Sequence, residues 1–467
     1  MAGKVITQEE RYEQMMHEPV QTLIPRMAVP SIISMLVGAI YNMADTFFVS
    51  QIGTSASAAV GVIFSLMALM QAAAFMIGMG SGSIMARLLG QKKGDQASAY
   101  VAVCVVTELL LGTLIAAAGE LNPRALVYLL GATDTIAPYA VEYVRFILIG
   151  APFLMCSYGM NNLLRFQGNA MNAMIGMSTG GILNMFLDPL LIYGFHMGIA
   201  GAAVATSFSQ FVSFLILLYQ CNSSPACVSV SLRNFRPTPA MYKEILRCGL
   251  PSLARQGIAG VSAIVVNYSA HPYGDAAIAA ISIVMRLAMF MNSAIIGFGQ
   301  GFQPVCSFNF GAGNYKRVAE AYYFSRKVAF CVLACIGLLA VIFAEPVITV
   351  FRRGDPDVIR IGTLALRLQG ATLCLSAQII LANMLTQCIG YGITATLVAS
   401  LKQGICLIPI LLVLPRLFGL FGIQAAQPLS DIVSALIACL ITRHILKELD
   451  RKASEQAQAR AGEAFQG

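Results

Sequence analysis

Between Val101 and Gly119 the chain reads VAVCVVTELLLGTLIAAAG, with Glu108 as its only charged residue. About 20 consecutive apolar residues cross a bilayer as one helix. The pattern recurs along the whole sequence, and it places spans at 22–49, 55–80, 97–119, 137–160, 170–194, 199–220, 244–270, 276–303, 325–344, 358–386, 393–415 and 420–443. Inside hydrocarbon every backbone N–H and C=O needs a partner within the protein, so segments of this length have to be helices. Composition agrees. The chain is 57% hydrophobic and 11% charged, whereas soluble domains carry about 25% charged residues. The expected fold class is an all-α integral membrane protein with twelve transmembrane helices. The opening stretch MAGKVITQEERYEQMMHEPVQ is polar and lacks an apolar core, so no cleaved signal peptide is expected.

The net charge of +8 invites a nucleic-acid or anionic-surface reading, but the placement of the charges points elsewhere. With both termini on the inner side, the inner loops, tails and span ends hold 20 of the 30 Lys and Arg residues. The outer ones hold 5: Arg124, Arg352, Arg353, Arg360 and Arg416. This is the positive-inside bias of a multi-pass protein with cytoplasmic termini. The basic excess reports topology, and no nucleic-acid partner is expected. Most of the cysteines, such as Cys104, Cys156, Cys335 and Cys374, sit within apolar runs. The pair in CNSSPAC, 221–227, has no histidine partners and does not form a zinc pattern. No cofactor is expected.

The sequence repeats itself. At an offset of 221 residues VPS at 29–31 falls on LPS at 250–252, so that Pro30 meets Pro251. GTSASAAVG at 53–61 falls on GDAAIAAIS at 274–282, and IGMGSG at 77–82 on FGQGFQ at 298–303. With small gaps Arg145 meets Arg367, Gly168 meets Gly390, and GIAGAAVA at 198–205 meets GIQAAQPL at 422–429. The expected organisation is two pseudo-symmetric six-helix lobes, 1–221 and 241–467, joined by a cytoplasmic linker at 222–240. The second lobe ends in a cytoplasmic tail. An even number of spans per half keeps both lobes in one orientation, as in several secondary transporters with a substrate cavity between the halves. A channel or a purely structural bundle is the competing reading.

Acids within spans are costly and default to functional hypotheses. The spans hold Asp45, Glu108, Glu142, Asp188 and Asp431. Asp45 lies fifteen residues beyond Pro30, about 22 Å along a helix, in the outer third of span 1. Span 5 contains NMFLDP, in which Asn184 and Asp188 are four apart and share a face. Pro189 leaves the carbonyl of Met185 without its helical partner. Thr206 is one to two turns into span 6. Two carboxylates, an amide and a hydroxyl from three helices of one half therefore come to one depth. Oxygen groups of this kind suit a hard cation, or a proton shared by two nearby carboxylates. The offset puts Val266 where the first half has Asp45, so the set belongs to the first half alone. The second half offers Gln256, Asn267 and Arg286 as substrate-cavity candidates. Arg286 lies about 15 Å into span 8, where a charge faces a cavity or pairs internally. Glu108 and Glu142 are expected to pair with Arg145.

The runs PSIISMLVGAIYNMADTFFVSQIG, NMFLDPLLIYG, GIAGAAVAT and GFGQGFQPVCSFNFGAGNYKRV resemble the multidrug and toxic compound extrusion (MATE) family, in particular its MepA-like and DinF-like bacterial members. The resemblance covers about residues 20–445. It implies a MATE-type fold and antiport by alternating access. In that cycle amphipathic, often cationic or aromatic compounds leave the cell against an inward flow of H⁺ or Na⁺. It also implies a bacterial cytoplasmic-membrane protein, expected as a monomer, of the kind that confers antibiotic resistance. The family's ion-coupling residues carry over to Asp45, Asn184, Asp188 and Thr206, which would be the metal ligands in a Na⁺-coupled member. Pro30 matches the proline at which the family's first helix is proposed to bend. The alternative within the same broad superfamily is a flippase for lipid-linked glycans. An intramembrane enzyme is disfavoured, since no H-E-x-x-H motif or His-acid cluster occurs in the spans.

Overall fold

The structure is a computed structural model that describes residues 7–223, 228–352 and 355–466, with side chains to residue 458. Lys4, Cys227 and Arg353 lie outside the described residues, as does the side chain of Arg460. The described residues are helical wherever they are regular, with no strand among them.

Eleven helices are long and apolar enough to cross a membrane: Val20–Ser50, Thr54–Gly90, Gly94–Leu121, Ala137–Phe166, Ala170–Gly194, Gly198–Ser223, Pro239–Tyr273, Asp275–Gly311, Tyr315–Ile342, Gly392–Phe418 and Leu420–Gln458. The twelfth span is a pair, Pro356–Thr372 and Leu375–Cys388, bent by 54° at the short break between them. Each span read from the sequence has its helix. Several run further than expected. Thr54–Gly90 and Asp275–Gly311 are 37 residues each, about 55 Å at 1.5 Å per residue, well beyond the ~30 Å of hydrocarbon. Their extra turns carry the Gly-rich stretches after Ile77 and Phe298, whose small residues are buried.

The duplication is visible in the backbone. Gly168 and Gly390, which match in the sequence repeat, both take positive φ, 77° and 86°, just after a helix end. The following N–H reaches back five residues in each half, Asn169 to Leu164 O and Tyr391 to Thr386 O, both at 2.9 Å. This is the Schellman closure that favours glycine. Asn161 Nδ2 donates to Ala173 O at 2.9 Å, and Asn383 Nδ2 donates to Ala395 O at 2.8 Å, at the same offset.

The chain divides into two compact units, 1–18 with 26–249, and 19–25 with 250–467. The core of the first unit is built on Ile63, Met70, Tyr143, Leu148, Ile192 and Ile199. The first turns of the helix Pro239–Ala270 pack within this unit, close to span 2. A Cβ at Gly80 would run into the carbonyl of Ile245, and a Cβ at Gly249 into that of Met76. Tyr100 Oη donates to Glu244 at 2.6 Å, and Arg87 reaches the other Glu244 oxygen at 3.6 Å. The boundary between these compact units falls inside span 7, after Gly249. In the second unit Gln21 Nε2 donates to Glu320 at 3.3 Å, and the core gathers Val266, Leu366, Leu407, Leu411 and Ile423. Span 1 is one continuous helix through Pro25 and Pro30, so Pro30 does not interrupt it.

Candidate functional site

The site in the first unit begins with the turn in span 5 where Asn184 and Asp188 lie one above the other. The amide Nδ2 of Asn184 donates to Asp188 Oδ1 at 3.2 Å and to Thr206 Oγ1 at 3.3 Å. One side chain thus ties span 5 to span 6 and uses both amide protons. All three residues are buried, Asp188 completely. Immediately after Pro189 the helix widens into a π-turn, Leu190–Gly194, with Phe195 N–H bonding Leu190 O at 3.0 Å. The proline removes one rung of the α-ladder, and the wider turn re-pairs the backbone beyond it.

Span 1 brings Asp45 to this group. Its carboxyl interacts side chain to side chain with that of Asp188. The neighbouring polar groups of span 1 are occupied locally: Thr46 Oγ1 donates to Asn42 O at 2.8 Å, and Asn42 Nδ2 to Gly38 O at 2.9 Å. Three buried acceptor oxygens are left without a hydrogen-bond donor: Asp45 Oδ1, Asn184 Oδ1 and Asp188 Oδ2. Buried polar atoms are normally paired, so three unpaired acceptors in one cluster call for a positive partner. The donors are hard oxygens with two acids among them. That is a poor set for zinc or a soft metal and a reasonable one for a proton or a monovalent cation. Among the described residues no group of three or more His, Cys, Asp and Glu converges as a metal site.

Two tyrosines complete the cluster, and sequence reasoning missed both. Tyr41 lies one turn before Asp45 on the same face and neighbours Asp45, Asp188 and Tyr158. Gly181 of span 5 leaves room for its ring, since a Cβ there would approach Tyr41 Cδ1 at 3.2 Å. Tyr143 of span 4 is 1% exposed and neighbours Thr206 and both acids. The available signal was the spacing of Tyr41 to Asp45. Tyr143 carried no local signal, because it is read only once span 4 is docked.

Gln256 is half-buried, with its Nε2 hidden and unpaired. Asn267 and Arg286 are exposed, and Arg286 forms no ion pair among the described residues. Glu142 and Arg145 are exposed and form no pair. Glu108 is fully buried between spans, with both oxygens unpaired and Cys104 beside it. The expected pairing with Arg145 is therefore not formed. Glu142 and Arg145 are three apart on span 4 but both point into the surroundings, while Glu108 is held inside on span 3.

A model of the MatE family matches residues 30–190 and again 251–413, with Pro30 and Pro251 opening the two matches. The chain is 27% identical to the multidrug export protein MepA of Staphylococcus haemolyticus over 425 residues, 90% of this chain and 93% of that protein. It is 28% identical to MepA of Staphylococcus aureus (strain NCTC 8325) over 440 residues, 94% and 96% of the two chains. Among solved structures, the outward-facing conformation of a multidrug resistance MATE family transporter of the MOP superfamily superposes with a TM-score of 0.88. Its identity is 27%, and the match covers 94% of this chain and 98% of that one.

Proposed function

The chain belongs to the MATE family, and from that premise we propose that it is a cation-coupled exporter of amphipathic, often cationic or aromatic organic molecules. It works by alternating access in a bacterial cytoplasmic membrane, with both termini inside. Asp45 and Asp188 hold the coupling cation, H⁺ or Na⁺. Asn184 and Thr206 orient Asp188, and Tyr41 and Tyr143 close the site with hydroxyl groups. The single observation that carries the reading is the trio of unpaired, buried acceptor oxygens on Asp45, Asn184 and Asp188, which meet from helices far apart in the sequence. A cation drives a conformational change only through unequal affinity for the two states. Two facing carboxylates supply such a difference, because separating them or opening them to water changes how tightly a positive charge is held.

Accumulation of a fluorescent cationic dye in cells with and without the protein tests the export reading. The expected result is lower accumulation in expressing cells, abolished when the proton and sodium gradients are collapsed. Equal accumulation in both strains, or a difference that persists without any gradient, refutes coupled export.

A further inference from the structure

The second unit holds a different acid, and its surroundings are the inverse of those in the first. Asp431, eleven residues into the helix Leu420–Gln458, is fully buried, as deep as about 16 Å along the span. Its Oδ1 faces Lys402 Nζ at 3.4 Å and accepts from Gln427 Nε2 at 3.0 Å, and its Oδ2 accepts from Gln369 Nε2 at 3.0 Å. Lys402 is 16% exposed and donates to Ser376 Oγ at 2.6 Å. Three spans supply the polar groups around the acid. Span 10 presents Gln369 before its break and Ser376 after it, span 11 presents Lys402, and span 12 presents Gln427. Lys402 is the charged member opposite the acid. It sits in a π-turn, Leu401–Ile405, whose carbonyl at Lys402 accepts from Ser430 Oγ at 2.6 Å. Thus neither oxygen of Asp431 lacks a donor, whereas Asp45 and Asp188 in the first unit each keep one that does.

The duplication explains why only one half has this arrangement. At the offset of Gly168 and Gly390 the counterpart of Lys402 is Gly180, and a Cβ there would run into Ser213 Oγ. The counterpart of Asp431, at the offset of GIAGAAVA, is Ser207, which donates to Phe146 O at 2.7 Å. The first half has no room for a lysine and leaves its acids open. The second half has a lysine opposite its acid, and every oxygen of that acid is paired.

We propose that Lys402 is a built-in cation of the second lobe. It fills on Asp431 the electrostatic role that a transported cation fills on Asp45 and Asp188, so the second lobe takes up no ion during the cycle. The same pair holds the two pieces of span 10 to spans 11 and 12 across the 54° break. Lys402 and Asp431 are positioning residues and do not couple ions. The proposal rests on the first-lobe reading for its contrast, but it makes a claim about Asp431 that is measured separately.

The test counts cations bound per chain by purified full-length protein, with ²²Na⁺ binding and with proton uptake on a pH step. Lys402→Met should bind about one more cation than wild type, and Lys402→Met/Asp431→Asn should return to the wild-type count. Asp431→Asn alone should leave the count unchanged. A count that Lys402→Met does not raise, or that Asp431→Asn lowers, overturns the proposal. Lys402→Gln keeps a donor for Ser376 and substitutes where Lys402→Met does not fold. If neither folds, the Asp431→Asn count decides. Asp45→Asn/Asp188→Asn reports on the first-lobe reading in a separate arm. A loss of binding there supports that reading whatever Asp431 does, and retained binding refutes it while leaving the Asp431 result to stand by itself.

Discussion

Asp188→Asn removes one of two facing carboxyl charges and leaves the shape of the site intact. The oxygen retained in the amide can still accept from Asn184 Nδ2, which lies 3.2 Å from Asp188 Oδ1. Two unit charges about 4 Å apart repel by about 4 kcal/mol at an effective dielectric of 20, and the Asp45 and Asp188 carboxyls interact directly. In wild type that repulsion is relieved only while a positive charge sits with the pair. The substitution relieves it permanently. Stripped of Na⁺ at alkaline pH, the variant should unfold a few degrees above wild type. A coupling cation at a hundredfold excess over its Kd then stabilises wild type by about 2.7 kcal/mol and the variant by much less. Thermal unfolding followed by circular dichroism, with Na⁺ and pH varied separately, reads both effects and identifies the ion. A variant less stable than wild type without cations, or equally stabilised by them, would refute the charge-pair reasoning.

Asn184→Ala removes the donor to Asp188 and to Thr206. A hydrogen bond to a charged group contributes about 1.5–3 kcal/mol, so cation affinity should change roughly 10- to 100-fold, read by isothermal titration, with the helical content unchanged. Tyr143→Phe removes a hydroxyl beside Thr206 and both acids. Gradient-driven transport in vesicles should fall roughly tenfold for about 1.4 kcal/mol lost, at an unchanged melting temperature. Gly159→Ala drives a methyl group into the Glu108 carboxyl and should destabilise the protein by about 1–3 kcal/mol. Glu108→Ala in the same chain should restore most of the loss, as measured by a double-mutant cycle on thermal stability.

The spans were legible because a bilayer imposes a length and a polarity that a one-dimensional reading can find. The helix ends were less so: Thr54–Gly90 continues past Ile77 through GMGSGSIMARLLG, where hydropathy falls although the backbone stays helical. The break in span 10, between Thr372 and Leu375, has no proline to mark it. It lies where Gly370 meets Gly337 backbone to backbone and where Gln369 and Ser376 turn toward Asp431 and Lys402. These are tertiary causes that hydrophobic periodicity cannot show. In the site, Asn184 and Asp188 could be placed on one face from their spacing alone. Meeting Thr206 and Asp45 depended on shared depth. Tyr143 has no such cue, since its neighbours come from spans 1, 5 and 6. The pairing expected for Arg145 fails although Glu142 lies three residues before it on the same helix face, because both side chains are exposed and exposed pairs of this kind add little stability.

Transport in proteoliposomes under an imposed proton or sodium gradient, with wild type, Asp45→Asn and Asp188→Asn side by side, probes the role of the paired acids most directly. Wild type should concentrate substrate under one of the two gradients, and each neutral variant should lose that uphill movement. Neutral variants that pump at the wild-type rate would contradict it.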